Sequence, residues 1–152
     1  MRVIRGCILF LALFFLLFSN LSAISKRSLV LAANTSSPVT NLTTQEARKL
    51  FLGVPIEKAG TRIMPLLNTS DPLTYQVFLQ KVAFMSSSAF ESQILSVVFR
   101  LGGKRPETYS DLQELLNALQ QRTEAVTFLW DDQVQTHQGI KSVTVLWQDS
   151  QE

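Results

Sequence analysis

Hydroxyl and amide side chains carry whatever binding chemistry this sequence offers. They gather in two short runs, Asn34-Thr35-Ser36-Ser37 and Asn68-Thr69-Ser70-Asp71, each following an apolar stretch and leading towards a helix. Backbone N–H groups and hydroxyls at such places can hydrogen-bond a small oxyanion without covalent chemistry. The same residue types also cap helices and close turns. Thr35, Ser36, Ser37, Asn68, Thr69 and Ser70 are therefore the candidate ligand-binding residues.

Catalysis has a poor inventory. His137 is the only histidine, in a polar stretch between two apolar runs, with Asp131-Asp132 the nearest acids. A general base needs a nucleophile and an orienting group, and nothing in the sequence supplies the set, so no enzyme activity is expected. One histidine, no cysteine beyond Cys7 and no tight carboxylate cluster also give no metal site and no cofactor. The pair Lys104-Arg105 after Gly102-Gly103 reads as a solvated loop that could touch an anion or a partner. Trp130 and Trp147 end apolar runs, where packing is the default role.

The 152 residues suit one domain, and a hydrophobic share of 46% with 17% charged is that of a globular chain. Residues 8–18 are uniformly apolar, preceded by Arg2 and Arg5 and followed by Ser19, Asn20 and Ser22. That plan predicts a secretory signal peptide over residues 1–25, cut near Ser25, with Ala23 a second choice. An uncleaved anchor is the competing reading, but the run is short for a span, so no stable membrane span is expected after cleavage. Without those residues Arg2, Arg5 and Cys7 are gone, and the basic side chains equal the 12 acidic ones. Neither nucleic-acid binding nor thiol chemistry survives that change. Asn34, Asn41 and Asn68 each head a glycosylation triplet, which arises by chance in so Ser/Thr-rich a chain and is set aside.

The elements that must position these residues follow from caps and periodicity. Residues 28–33 predict a buried first strand. Thr43 and Glu46 have capping-box spacing, opening a helix with Ala47, Leu50 and Phe51 inside and Gly53 beyond its end. A loop over 55–61 turns at Gly60, and 63–67 is a strand containing Pro65. Asp71-Pro72 opens a helix to Phe84 that buries Leu73, Val77, Phe78, Val82 and Phe84. Ser88 and Glu91 open another, through Phe99, with Phe90, Ile94, Leu95, Val97 and Val98 inside. A loop over 101–108 precedes a helix over 110–121, capped by Ser110 with Gln113, and strands over 125–130 and 141–147 close the chain. Alternating strands and helices at the front predict parallel pairing in an α/β layered domain over residues 26–152.

These segments resemble the phosphate-binding proteins of ABC importers. LTTQEARKLFLG at 42–53 is similar to that family's Leu-(Ser/Thr)-x-x-(Glu/Gln) helix ending in Phe-x-Gly, and FLQKVAFMS at 78–86 to its Phe-x-x-Lys-Val-Leu-x-Met-Ser segment. Residues 90–106 resemble the helix and loop that follow, and AVTFL at 125–129 its late strand. The resemblance, over about 29–147, implies one lobe of a type II periplasmic binding protein, as in short stand-alone members. It implies a bacterial, periplasmic, exported solute-binding-like protein whose ligand is phosphate or another small oxyanion. The alternative is an interaction or accessory module with an envelope protein as partner and a degenerate ligand site. The family's arginine ahead of the helix containing Phe78 is absent; Thr74 or Tyr75 stands near that place, and Asp71 adds a negative charge. Arginine's bidentate fork is hard to replace in phosphate recognition.

Overall fold

The computed structural model describes residues 27–149; the signal peptide expected over residues 1–25 lies outside them. Seven strands and five helices follow one another: β1 Ser28–Asn34, α1 Thr44–Phe51, β2 Glu57–Lys58, β3 Thr61–Arg62 and β4 Met64–Asn68. Next come α2 Pro72–Val77, α3 Ser87–Leu101, β5 Glu107–Tyr109, α4 Leu112–Gln121, β6 Ala125–Trp130, α5 Asp131–Thr136 and β7 Ile140–Gln148. Five strands form one sheet in the order β5-β4-β6-β1-β7, and β2 with β3 makes a small hairpin turning at Gly60.

The sheet is mixed, which corrects the expectation of parallel pairing for β1. β4 runs parallel to β5 and β6, whereas β1 is antiparallel to both β6 and β7. Only β1 is reversed within this sheet, so its amino end lies beside the carboxyl ends of the others. Its continuous apolar run follows from burial on both faces, as in covered central strands. Leu29, Leu31 and Ala33 enter the core shared with α1, α2 and α3, while Val30 and Ala32 enter the one shared with α4 and α5. On the first face Phe78 stacks on Phe128 at 4.1 Å between centroids, with Phe51 and Phe90 edge-on to Phe78 at 5.1 and 5.7 Å. Such aromatic pairs add about 0.5–1.5 kcal/mol each beyond area burial.

Local signals hold where the partner is near in sequence. Thr43 Oγ1 accepts from Glu46 N at 3.1 Å and Glu46 returns the bond to Thr43 N at 2.9 Å, the reciprocal cap expected. Two other caps move. Ser86, not Ser88, caps α3 through Ala89 N, and Asp111, not Ser110, caps α4 through Glu114 N. The helix from Pro72 continues as a π-helix over Phe78–Ala83, which ends at Phe84 with φ of 56°. The changed helical phase buries Phe78, Leu79, Val82 and Ala83 but leaves Phe84 69% exposed, against the expectation of burial. Leu73 and Leu95, also expected inside, are exposed. Short β5 and α5 occupy stretches read as connections.

Candidate functional site

Because β1 is reversed, the two hydroxyl-rich loops leave the sheet at opposite edges. Ala33 is level with Val126, near the start of β6, whereas Asn68 ends β4, which starts level with Ala125. The loops are therefore about 13 Å apart along the strand direction, at roughly 3.3 Å per residue. The fold does not bring Thr35, Ser36 and Ser37 together with Asn68, Thr69 and Ser70.

At the carboxyl edge, Asn68 is 1% exposed and organises the loop. Its Nδ2 donates to Phe128 O at 3.0 Å, while Oδ1 accepts from Ser70 N at 3.0 Å and Ser70 Oγ at 2.7 Å. Beyond Pro65 the β4–β6 ladder stops, and Asn68 with Thr127, whose Oγ1 donates to Leu66 O at 2.8 Å, ties the two strands instead. Thr69 Oγ1 donates to Tyr109 O at 3.0 Å. Asp71 accepts from Thr74 N at 2.8 Å and from Thr74 Oγ1 at 2.5 Å, as the N-cap of α2. Those two Thr74 bonds hold the Asp71 carboxyl below its ordinary range, with a smaller contribution from Arg27.

Arg27 is the residue that sequence reasoning missed here. Its guanidinium lies 4.6 Å from the centre of the Trp130 ring, at the end of β6, close enough to Asp71 to act on its titration. Trp130 meets Trp147 edge-on at 6.5 Å, and Lys81 lies 6.0 Å from the Trp147 ring. A cation far from the loop in sequence thus stands beside it because β1 begins where β6 ends. The only signal was the basic pair Lys26-Arg27 immediately before an apolar strand.

At the amino edge, Asn34 Oδ1 accepts from Ser36 N at 2.8 Å, Ser37 Oγ accepts from Val39 N at 3.2 Å and Lys141 Nζ donates to Ser37 O at 2.7 Å. These bonds describe a closed turn beside β7. The amino ends of β4 and β5 border an open cleft of about 340 Å³, with Arg62, Lys104 and Arg105 around it. His137 Nδ1 lies 2.7 Å from Gln133 O and 3.2 Å from Thr136 Oγ1, while Asp131 bonds Gln135. No group of three His, Cys, Asp or Glu side chains able to hold a metal occurs among the described residues.

The same arrangement of elements occurs in larger proteins. A putative phosphate ABC transporter substrate-binding protein with bound phosphate, from Clostridium perfringens, superposes with a TM-score of 0.59 at 11% identity. It is matched over 78% of this chain and 44% of its own. An ABC-type phosphate transport receptor from Vibrio cholerae gives a TM-score of 0.58 at 14% identity, over 78% of this chain and 46% of its own. The fold of this chain is thus that of the matched part of these two proteins. The chain spans less than half the length of these two neighbours. Neither a known protein family nor a curated protein matches the sequence. Among the described residues no single helix is long and apolar enough to cross a membrane.

Proposed function

We propose that this chain is an exported, non-catalytic, solute-binding-like protein of the bacterial periplasm, with residues 1–25 as its signal peptide. Its ligand class is phosphate or another small oxyanion, held at the carboxyl end of β4 by Asn68, Thr69 and Ser70. The fold shared with the two phosphate-transport proteins carries the reading, and Arg27 adds a guanidinium over Trp130 at the same end of the sheet, where the sequence around α2 has none. The substrate-binding-protein fold supports the same edge, since ligands of open α/β sheets sit beyond strand carboxyl ends. Thr35, Ser36 and Ser37, at the other edge, would serve a separate contact.

The geometry also sets the strength. Ser70 already donates to Asn68 and Thr69 to Tyr109 O of β5, and charged Asp71 repels a second anion. A ligand must exchange those bonds for its own, and one lobe by itself leaves it open to water, so weak binding is expected. The same engaged hydroxyls favour a second reading, an interaction module that contacts an envelope protein through a degenerate ligand edge.

Thermal unfolding against phosphate, sulfate, carboxylates, amino acids and sugars separates the two. A ligand at a hundred times its dissociation constant stabilises by about 2.7 kcal/mol. A phosphate shift lost in Ser70→Ala and Arg27→Gln establishes oxyanion binding at this edge. A flat panel from a folded protein transfers the assignment to the interaction module, to be pursued by crosslinking in the envelope.

A further inference from the structure

The opposite edge of the sheet carries a cleft with cations of its own. We infer that the cleft between α1, β4 and the loop before β5 binds a small amphiphilic anion, with a carboxylate or phosphate head on an apolar body. Its apolar lining includes exposed Pro55 and half-buried Met64 and Pro65 beside buried Leu50 and Ile63, while the lining cations Arg62 and Lys104 are exposed. A volume of about 340 Å³ lies in the range of small-molecule sites. The walls are fixed by a close backbone approach. A Cβ on Gly103 would lie 2.7 Å from Gly53 O, so the turn after α1 and the loop after α3 meet at a spacing only glycine permits.

The charges around the cleft are unequally matched. Arg105 pairs with Glu91, and Glu107 pairs with Arg122 at 2.8 Å. Arg62 and Lys104 make no salt bridge among the described residues, although Glu57 is the cross-strand neighbour of Arg62. The helix α1 ends at the cleft, whose lining includes Leu50 and Gly53, and the partial charges at its carboxyl terminus amount to about half a negative charge. Those partial charges offset part of the surplus but supply no acceptor comparable to a carboxylate. An anionic head can therefore meet an unpaired cation of the lining, while its apolar body lies against Pro55, Met64 and Pro65.

Phenyl phosphate, benzoate, inorganic phosphate and benzyl alcohol are titrated into the isotope-labelled protein and followed by amide NMR shifts. Phenyl phosphate and benzoate are expected to saturate with shifts centred on Leu50, Ile63 and Gly103, binding more tightly than either inorganic phosphate or benzyl alcohol. Arg62→Gln with Lys104→Gln is expected to weaken phenyl phosphate by about tenfold or more, the effect of losing charge-assisted hydrogen bonds. Arg27→Gln and Ser70→Ala should leave this titration unchanged, which separates it from the carboxyl-edge reading. Lys104→Glu, an exposed change, provides a second test and should weaken binding further. Absence of saturation, shifts centred on Asn68, or equal binding by the folded double variant overturns the inference and leaves the cations as companions of the helix end.

Discussion

The two edges of the sheet use polar residues in opposite ways. At the carboxyl edge, buried Asn68 joins two diverging strands and fixes the following turn, so its amide nitrogen and oxygen each have protein partners. At the amino edge beside β4, the charged groups Arg62 and Lys104 stand exposed at a partly apolar cleft and make no salt bridge among the described residues. A hydroxyl-rich loop is thus mostly structural framework, and a loop that looked merely solvated frames a cavity. Residue type suggests what a loop can bind; the partners already taken decide what is left for a ligand.

Breaking the carboxyl edge should cost most. Asn68→Ala leaves Phe128 O and Ser70 N without their partner, and a loss of about 2–3 kcal/mol in denaturant unfolding is expected. Gly103→Ala tests the amino edge by forcing apart the backbone contact with Gly53. About 1–3 kcal/mol should be lost, as for overpacking, with the cleft distorted. Asp71→Ala removes the cap of α2 and should cost about 1 kcal/mol, seen as a lower midpoint in the same assay.

Acid provides a gentler comparison. Lys58 and the two bonds to Thr43 hold the Glu46 carboxyl down to about 2, and Arg122 holds Glu107 below its usual range. Asp71 is lowered as well. A carboxyl lowered in the folded state stabilises above its unfolded pKa, and that contribution is lost as pH falls through the folded value. Stability should therefore be flat near neutrality and decline below about pH 4. Salt should blunt the Glu46 and Glu107 parts, since both pairs are exposed to solvent. The smallest effect belongs to Arg62→Gln with Lys104→Gln, whose unfolding free energy should stay within about 0.5 kcal/mol of the parent. A large loss there would make these cations structural and erase the contrast between the edges.

What the sequence shows and what it hides divides along the same physical line. The Thr43 and Glu46 cap is three residues long, so its chemistry is readable without the fold. The layered α/β class followed from similarly local signals. Strand direction did not, because the partners of β1 lie at the far end of the chain and no local feature encodes them. β5 is three residues with a partly exposed pattern, and polar α5 is held by Gln133 bonding back to Trp130 N, so neither has an apolar period to detect. Phe84 misled because the change from α to π turns a regular pattern out of phase. Arg27 acquires a role only through the placement of β1 beside β6, whereas the separation of the two hydroxyl-rich loops follows from the direction of β1.

That reversed strand also orders events during folding. Leu31 must find Phe128 on one side and Thr144 on the other, both far downstream. A chain emerging from its amino end therefore presents an apolar, edge-bare segment until almost all of the remaining sequence exists. Pairings of such long range close slowly, and an unpaired strand is a template for aggregation meanwhile. The strand made first is completed last, so a chain truncated before β7 would leave one side of its central strand uncovered.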